Sequence, residues 1–146
     1  MADLAPWVTA YGLLGLTLAA FLAATLLPFS SEIAVLAALH LGFAPLDVLV
    51  WASLGNCLGA LSNYGLGYWL AAPLARRVLR ERWGRQAWAW ASRYGGWSLA
   101  MSWLPLVGDP VMLVGGILRF HPAYVLVLGL GTRVLRYICL IGLISL

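Results

Sequence analysis

The segment TLLPFSSEIAVL, residues 25–36, breaks a long apolar run with a proline, two serines and a carboxylate. Pro28 ends one helical arm, because proline cannot continue a helix. Ser30 or Ser31 is placed to cap the arm that follows, which leaves Glu32 in the first turn of a new helix. Burying a carboxylate in hydrocarbon is costly and a serine alone caps as well, so we expect Glu32 to serve a function.

An internal repeat extends this pattern into the second half of the chain. The segment SWLPLVGDPVML, residues 102–113, aligns with the first segment without a gap, at an offset of 77 residues. Pro105 then lies over Pro28, and Asp109 lies over Glu32. Prolines and acids are rare here, so chance similarity between two apolar segments does not explain the match. Two further segments continue the alignment: LGFAPLDVLV at 41–50 and LRFHPAYVLV at 118–127.

The composition indicates an all-α integral membrane protein. Hydrophobic residues fill 63% of the 146 positions and charged residues only 10%, which is more apolar surface than a soluble domain of this length can bury. Residues 46–72 and 123–146 exceed the roughly 20 residues that a helix needs to cross the hydrocarbon. The apolar pieces 33–43 and 111–118 reach only about 16 and 12 Å as helices. We expect these short pieces to enter the bilayer and leave on the same side.

A basic linker separates the two repeats. Residues 76–94 contain six of the nine arginines, interleaved with tryptophans. The spacing of Val78, Leu79, Trp83 and Ala87 predicts an amphipathic helix at the membrane interface, and its charge places it in the cytoplasm. We do not expect nucleic acid as a partner, because this is the one basic cluster and it lies between membrane segments.

The repeat and the charge distribution together predict the topology. With the linker in the cytoplasm, the span at 46–72 runs inward, the first re-entrant hairpin opens to the outside, and the second opens to the cytoplasm. We therefore expect a single membrane domain over 1–146, with one repeat over about 8–72 and an inverted repeat over 95–146. The residues expected to form the two re-entrant turns are Pro28, Ser30, Ser31, Pro105 and Gly108.

Five polar or charged residues are predicted to line one intramembrane site. Glu32 and Asp109 lie at the N-termini of the two short helices, where Asp109 is expected to be the N-cap. Arg133 and Arg136 lie well inside the last span and share one helix face. Asn56 aligns with Arg133 across the repeat. The arginines are expected to pair with the acids or with an anionic ligand, since guanidinium matches the geometry of phosphate.

The chain resembles the DedA superfamily, also called VTT or SNARE-associated membrane proteins, and in particular its short YqaA-type members. The strings that carry the resemblance cover almost the whole chain: FLAATLLPFSSE, GNCLGALSNYGLG, RYGGWSLAMSWLPLVGDPVMLVGG and GTRVLRY. The resemblance implies a bacterial inner-membrane, multi-pass protein with two opposed re-entrant loops. It also implies return of lipid carriers such as undecaprenyl phosphate, or of phospholipids, across the bilayer, with essential acids and arginines and coupling to protons.

The chain departs from this family at the second re-entrant loop. Larger DedA proteins carry an Arg-x-x-Pro-x-x-Arg pattern there. In this sequence, Ser102, Pro105 and Gly108 occupy those positions, so the proline remains and both arginines are absent. Arg133 and Arg136 are the candidates to supply the positive charge instead.

These observations predict a flippase-like or scramblase-like transporter of an anionic, phosphate-headed lipid, with protonation of Glu32 and Asp109 gating release. Two alternatives stay open: a proton-coupled carrier of a small solute or ion, and a non-transporting membrane scaffold. We do not expect an enzyme, because neither histidine lies near the acids and arginines. No cofactor or metal is expected. A homodimer is possible, and the glycine-rich face at 55–67 is one candidate surface.

Overall fold

The computed structural model describes residues 5–25, 31–104 and 106–144, and side-chain burial from residue 10 onward. The regular structure within these ranges is helical, with no strand among them. The predicted turn residues Pro28, Ser30 and Pro105 lie outside the described residues.

Three long helices and several short ones make up the described chain. Their bounds are α1 Ala5–Thr25, α2 Ser31–His40, α3 Pro45–Trp69, α4 Ala71–Val78, α5 Arg82–Tyr94, a 3-10 helix Gly95–Trp103, α6 Gly108–Ile117 and α7 Pro122–Ile144. By length and hydropathy, α3 and α7 are the candidate membrane spans among the described residues, and they match the two spans that the sequence predicts. Helices α2 and α6 have 10 residues each, so they are too short to span.

The chain forms two compact units, each with its own apolar core. The first unit is Met1–Gly59 with Tyr137–Leu146, and the second is Ala60–Arg136, so α3 and α7 contribute to both. The buried core of the first unit includes Leu13, Leu16, Val35, Ala38, Val48, Ala52, Tyr137 and Ile141. The buried core of the second includes Ala60, Val78, Ala87, Ala91, Leu99, Val107, Val111, Met112, Val114 and Val125.

In the first unit, α1 and α3 run side by side in the same direction. The hydroxyl of Thr17 donates to the carbonyl of Trp51 at 3.0 Å, and one turn further along α3 a Cβ on Gly55 would collide with the Thr17 carbonyl. A Cβ on Gly59 would lie 2.6 Å from the Cβ of Ala24. Gly55 and Gly59, which belong to the candidate dimer face at 55–67, therefore pack against α1 of the same chain.

In the second unit, the 3-10 helix and α6 form a hairpin beside α7. The 3-10 helix begins where Gly96 packs against the ring of Tyr124, near the start of α7. It ends at Ser102 and Trp103, deep along α7, and α6 then returns. At the end of α6, the hydroxyl of Tyr64 donates to the carbonyl of Phe120 at 2.6 Å. Both outer ends of the hairpin thus lie at the start of α7, and its turn lies beside the middle of α7.

Two helices occupy the basic linker, where the sequence predicts one helix over 76–94. Helix α4 ends at Val78, and α5 begins at Arg82. Arg85 closes the corner by donating from Nη1 to the carbonyl of Arg80 at 3.0 Å, and Gly84 packs against the carbonyl of Val78. These are tertiary contacts between the two helices, so the helical periodicity of the sequence does not reveal the break.

The apolar face of α5 contacts protein. Gly84, Ala87 and Ala91 are buried, and α5 packs against both the 3-10 helix and α6. The small side chains on this face allow α5 to approach the hairpin closely. The predicted amphipathic pattern is present, but the small residues of its apolar face meet the hairpin of the same unit.

Candidate functional site

The candidate site lies at the turn of the second hairpin, beside the middle of α7. Arg133 follows Pro122 by 11 residues, which is about 16 Å along a helix. Asp109 precedes Ile117, the last residue of α6, by 8 residues, or about 12 Å. Because α6 and α7 are joined by a short connection, these two distances start from the same end of the unit. Asp109 and Arg133 are therefore brought to a similar depth, as the sequence predicts.

Arg133 and Asp109 form a salt bridge at this depth. Nη2 of Arg133 donates to Oδ1 of Asp109 at 2.6 Å, and Nε of Arg133 donates to Oγ of Ser102 at 2.7 Å. The Arg133 side chain is only 3% exposed, whereas the Asp109 side chain is 35% exposed. The guanidinium is therefore buried, while the carboxylate remains partly exposed.

Ser102 links this ion pair to an irregular part of α7. Its Oγ, which accepts from Arg133, also donates to the carbonyl of Gly129 at 3.1 Å. Gly129 belongs to the π-helical segment Val125–Leu130, and the side chain of Met112 lies against it. Single-turn π segments within α-helices occur frequently at functional sites. Here the π segment ends three residues before Arg133, and its Gly129 carbonyl accepts the hydrogen bond from Ser102, which in turn binds Arg133.

Arg136 contacts the same turn, one turn of helix beyond Arg133. Its Nη1 donates to the carbonyl of Trp103 at 2.9 Å. The prediction that the two arginines share one helix face is confirmed, because both reach the 3-10 helix. The sequence names both arginines as candidate partners of an acid or an anionic ligand. In the second unit Arg133 pairs with Asp109, whereas Arg136 donates to a backbone carbonyl.

The predicted capping role of Asp109 is wrong. Helix α6 begins one residue earlier, at Gly108, and its N-cap, Val107, makes no side-chain cap. The backbone N–H of Gly108 donates to the carbonyl of Leu104 at 2.9 Å. The carboxylate of Asp109 instead accepts a hydrogen bond from the guanidinium of Arg133 on α7. A charged donor gives a stronger hydrogen bond than a backbone N–H does.

The hairpin turn itself is tight. A Cβ on Gly108 would collide with the carbonyl of Ser102, so only glycine lets the two arms meet at this point. Leu106 adopts the left-handed region with a φ of 69°, which is unfavourable for a branched side chain. Backbone strain of this kind clusters at functional sites. Gly108 therefore permits the close approach of the two arms, and Leu106 adds strain near the ion pair.

The first unit contains a polar cluster at the corresponding place in the repeat. Asn56 follows Pro45 by 11 residues, as Arg133 follows Pro122, and it is 3% exposed. Its Nδ2 donates to Oγ of Ser31 at 3.4 Å, and Ser31 shares a hydrogen bond of 2.5 Å with the hydroxyl of Tyr137. Helix α2 thus begins beside the middle of α3, just as α6 begins beside the middle of α7.

Glu32 is the second residue of α2 and is half-buried. It neighbours Ser31, which belongs to the polar cluster with Asn56 and Tyr137. The predicted residues therefore divide into two groups. Glu32, Ser31 and Asn56 belong to the first unit, and Asp109, Arg133 and Arg136 belong to the second.

Two residues of these clusters are missing from the predicted site. Tyr137 is fully buried and lies four residues after Arg133. Ser102 is 1% exposed and holds Nε of Arg133. Both lie within the segments that carry the family resemblance. Membership of those segments is the one feature of the sequence that could have identified them as site residues. No group of three or more His, Cys, Asp or Glu residues able to hold a metal ion occurs among the described residues.

Comparisons with known proteins identify bacterial relatives. The chain is 37% identical over 130 residues to "Inner membrane protein YqaA" of Escherichia coli (strain K12), covering 88% of each chain, and the match to the protein of that name in Shigella flexneri has the same values. An "Uncharacterized protein" of Haemophilus influenzae is 37% identical over 118 residues, which is 71% of this chain and 69% of that protein. No protein-family model and no solved structure matches the chain.

Proposed function

Because the chain belongs to the YqaA family of bacterial inner membrane proteins, we propose that it moves an anionic, phosphate-headed lipid across that membrane. The likeness to DedA proteins points to undecaprenyl phosphate or a phospholipid as the substrate. The observation that carries the proposal is the salt bridge between Arg133 and Asp109, an ion pair in a strongly apolar chain. Ionisable groups inside a membrane are costly and mark transport pathways more often than they mark simple structure.

The two partners of this ion pair are suited to exchange a proton for a phosphate. Guanidinium binds phosphate and carboxylate through the same planar arrangement of donors, so a phosphate head group competes with Asp109 for Arg133. Protonation of Asp109 removes its charge and weakens its hold on Arg133. In the proposed cycle, proton uptake by the accessible carboxylate frees the guanidinium for the head group, and proton loss expels the lipid. The tail stays in the surrounding hydrocarbon.

The shape of each unit supports a transporter with two re-entrant hairpins. In the second unit, both outer ends of the hairpin lie at the start of α7, and the turn lies about half-way along it. In the first unit, α2 starts beside the middle of α3, at the position that the repeat predicts. We propose that these hairpins enter from opposite sides of the membrane, as in transporters built from inverted repeats.

The contacts of Arg133 and Arg136 also support a positively charged site at the second hairpin turn, equivalent to the one that arginines of the turn form in the larger DedA proteins. Those proteins carry an arginine at the position of Ser102. In this chain, Arg133 reaches Ser102 from α7, and Arg136 reaches the carbonyl of Trp103. We propose that the last helix supplies to the hairpin turn the positive charge that the turn itself lacks.

A reconstitution assay tests this function. The purified protein is placed in vesicles that contain a head-group-labelled phospholipid or a short-chain polyprenyl phosphate, and the inner-leaflet fraction that becomes accessible is measured. Arg133→Ala, Asp109→Asn and Glu32→Gln are expected to reduce the rate at least tenfold. Arg82→Gln and Asp47→Asn are matched controls, since both residues are exposed and lie outside the proposed site. Unchanged transport in all three site variants would exclude the proposed mechanism.

The burial of Arg133 favours one other candidate function, a membrane scaffold without transport. A guanidinium that is 3% exposed and held by two side chains resembles a fixed structural pair. A scaffold predicts that Arg133→Ala lowers stability and that the unmodified protein moves no lipid. A transporter predicts lipid movement by the unmodified protein, with loss of that movement even in Asp109→Asn molecules that remain folded.

A further inference from the structure

A basic groove lies directly after the first predicted span, away from the ion pair. Helix α4 begins two residues after Trp69, the last residue of α3. The groove is open and has a volume of about 480 Å³. It is lined by Pro73, Arg76, Arg77, Arg80 and Glu81. Three positive charges and one negative charge therefore surround one opening.

The three groove arginines have their guanidinium groups available. Within residues 5–25, 31–104 and 106–144, no hydrogen bond or ion pair engages the side chain of Arg76, Arg77 or Arg80. The next arginines in the linker are engaged by their surroundings. Arg82 lies over the ring of Trp83, and Arg93 lies over the ring of Tyr94, each at 5.5 Å from the ring centroid.

Arg85 offsets the partial negative charge at the C-terminal end of α4, which would otherwise disfavour a bound anion. The C-terminus of a helix carries a partial negative charge on its unpaired carbonyls, which disfavours anions nearby. Nη1 of Arg85 donates to the carbonyl of Arg80 at 3.0 Å and to that of Leu79 at 3.5 Å. Arg85 therefore covers two carbonyls at this end of the helix and brings a positive charge to the backbone of Arg80.

Aromatic residues place the groove at the level of lipid head groups. Trp69 is 82% exposed and Tyr68 packs edge-on against it, at the end of α3. Arg119 lies over the Tyr68 ring at 4.8 Å, so a further guanidinium joins these aromatic rings. Tryptophan and tyrosine at the end of a span favour the membrane–water interface. Since Pro73 is only four residues beyond Trp69, the groove opens near this interface.

We propose that this groove binds the phosphate of an anionic lipid head group in the leaflet that faces the linker. Three guanidinium groups offer paired donors to the phosphate oxygens, and the adjoining aromatic end of α3 lies against the upper part of the lipid tails. The groove is separate from the Arg133–Asp109 pair, and its occupancy does not require that the protein transports lipid.

Lipid binding to the full-length, detergent-solubilised protein tests the proposal. Native mass spectrometry measures the apparent Kd for phosphatidic acid, for phosphatidylcholine and for glycerol 3-phosphate. The double variant Arg76→Gln/Arg80→Gln is expected to weaken phosphatidic acid binding about 10- to 30-fold. The matched control, Arg82→Gln/Arg93→Gln, removes the same charge from exposed arginines outside the groove and is expected to change binding less than about twofold.

Each outcome decides a separate point. Equal losses in the groove variant and in its control would mean non-specific attraction to a basic surface and would overturn the site. Binding of glycerol 3-phosphate as tight as that of phosphatidic acid would overturn the lipid assignment, because the groove would then take any phosphate. Asp109→Asn is expected to leave groove binding unchanged. Loss of transport in Asp109→Asn with intact binding to the groove separates this proposal from the proposed function.

Discussion

Ser102 holds Arg133 from the hairpin side: its Oγ accepts from Nε of the guanidinium at 2.7 Å and donates to the carbonyl of Gly129 at 3.1 Å. A small neutral side chain therefore orients a long cation that comes from a different helix. This arrangement couples the tip of the hairpin to the π segment of α7. Disturbing Ser102 is expected to change the position of Arg133 without removing its charge.

Replacing Ser102 by alanine tests this coupling. We expect Ser102→Ala to lower the stability by about 1–3 kcal/mol, because a buried guanidinium nitrogen loses its acceptor. We also expect a severalfold lower transport rate. Ser98→Ala is the matched control, since Ser98 is buried on the same 3-10 helix and donates to the carbonyl of Gly95 at 2.7 Å. Thermal unfolding in detergent and the vesicle assay measure both effects. Equal transport by the two variants would contradict the positioning role of Ser102.

A double-mutant cycle measures the coupling between Asp109 and Arg133. Asp109→Ala leaves a buried guanidinium without its carboxylate and is expected to destabilise the protein by about 3–5 kcal/mol. Arg133→Met removes the cation and fills most of its volume. In the double variant, part of the stability is expected to return, because no uncompensated charge remains. Transport is expected to stay lost. Additive losses in unfolding experiments would mean that the two groups do not interact.

Gly108 and Gly131 provide a matched pair for the geometry of the hairpin turn. Gly108→Ala places a Cβ against the carbonyl of Ser102, and we expect a loss of about 1–3 kcal/mol from this clash. Gly131→Ala meets nothing within 4 Å in α7 and is expected to stabilise the protein by up to about 1 kcal/mol. The melting temperatures of the two variants check the prediction. A stable, active Gly108→Ala protein would mean that the arms do not approach so closely.

Single cysteines at equivalent positions of the repeat test the inverted topology. Leu41 and Leu118 are related by the offset of 77 residues, and both are exposed at the ends of short helices. In a background without Cys57 and Cys139, we expect Leu41→Cys to react with an impermeant thiol reagent only from the outside. Leu118→Cys is expected to react only from the cytoplasmic side. Labelling of both positions from one side would exclude opposed hairpins.

The sequence predicts the long and short helices well because local signals specify them. Apolar length identifies α3 and α7, while repeated prolines and acids mark where α2 and α6 begin. The cost of charge in hydrocarbon predicts that Arg133 and Arg136 pair with the two acids or with an anionic ligand, but it does not say which acid Arg133 meets. These inferences need only composition, spacing and the repeat.

The tertiary contacts that complete the site are not encoded by spacing. Tyr137 meets Ser31, although 106 positions separate them, and no periodicity links the two. Asp109 resembles an N-cap in sequence, yet an arginine on another helix takes its carboxylate. The break between α4 and α5 depends on Arg85 bonding across a corner. In each case, a contact between distant or differently oriented segments overrides the local signal.

Helix α5 of the basic linker packs directly against the second hairpin. Since α5 lies on both arms of the second hairpin, through Ala87 and Ala91, a tilt of those arms carries this helix with it. In the proposed transport cycle, a spectroscopic probe on the outer face of α5 is expected to report a tilt of the hairpin from the water phase.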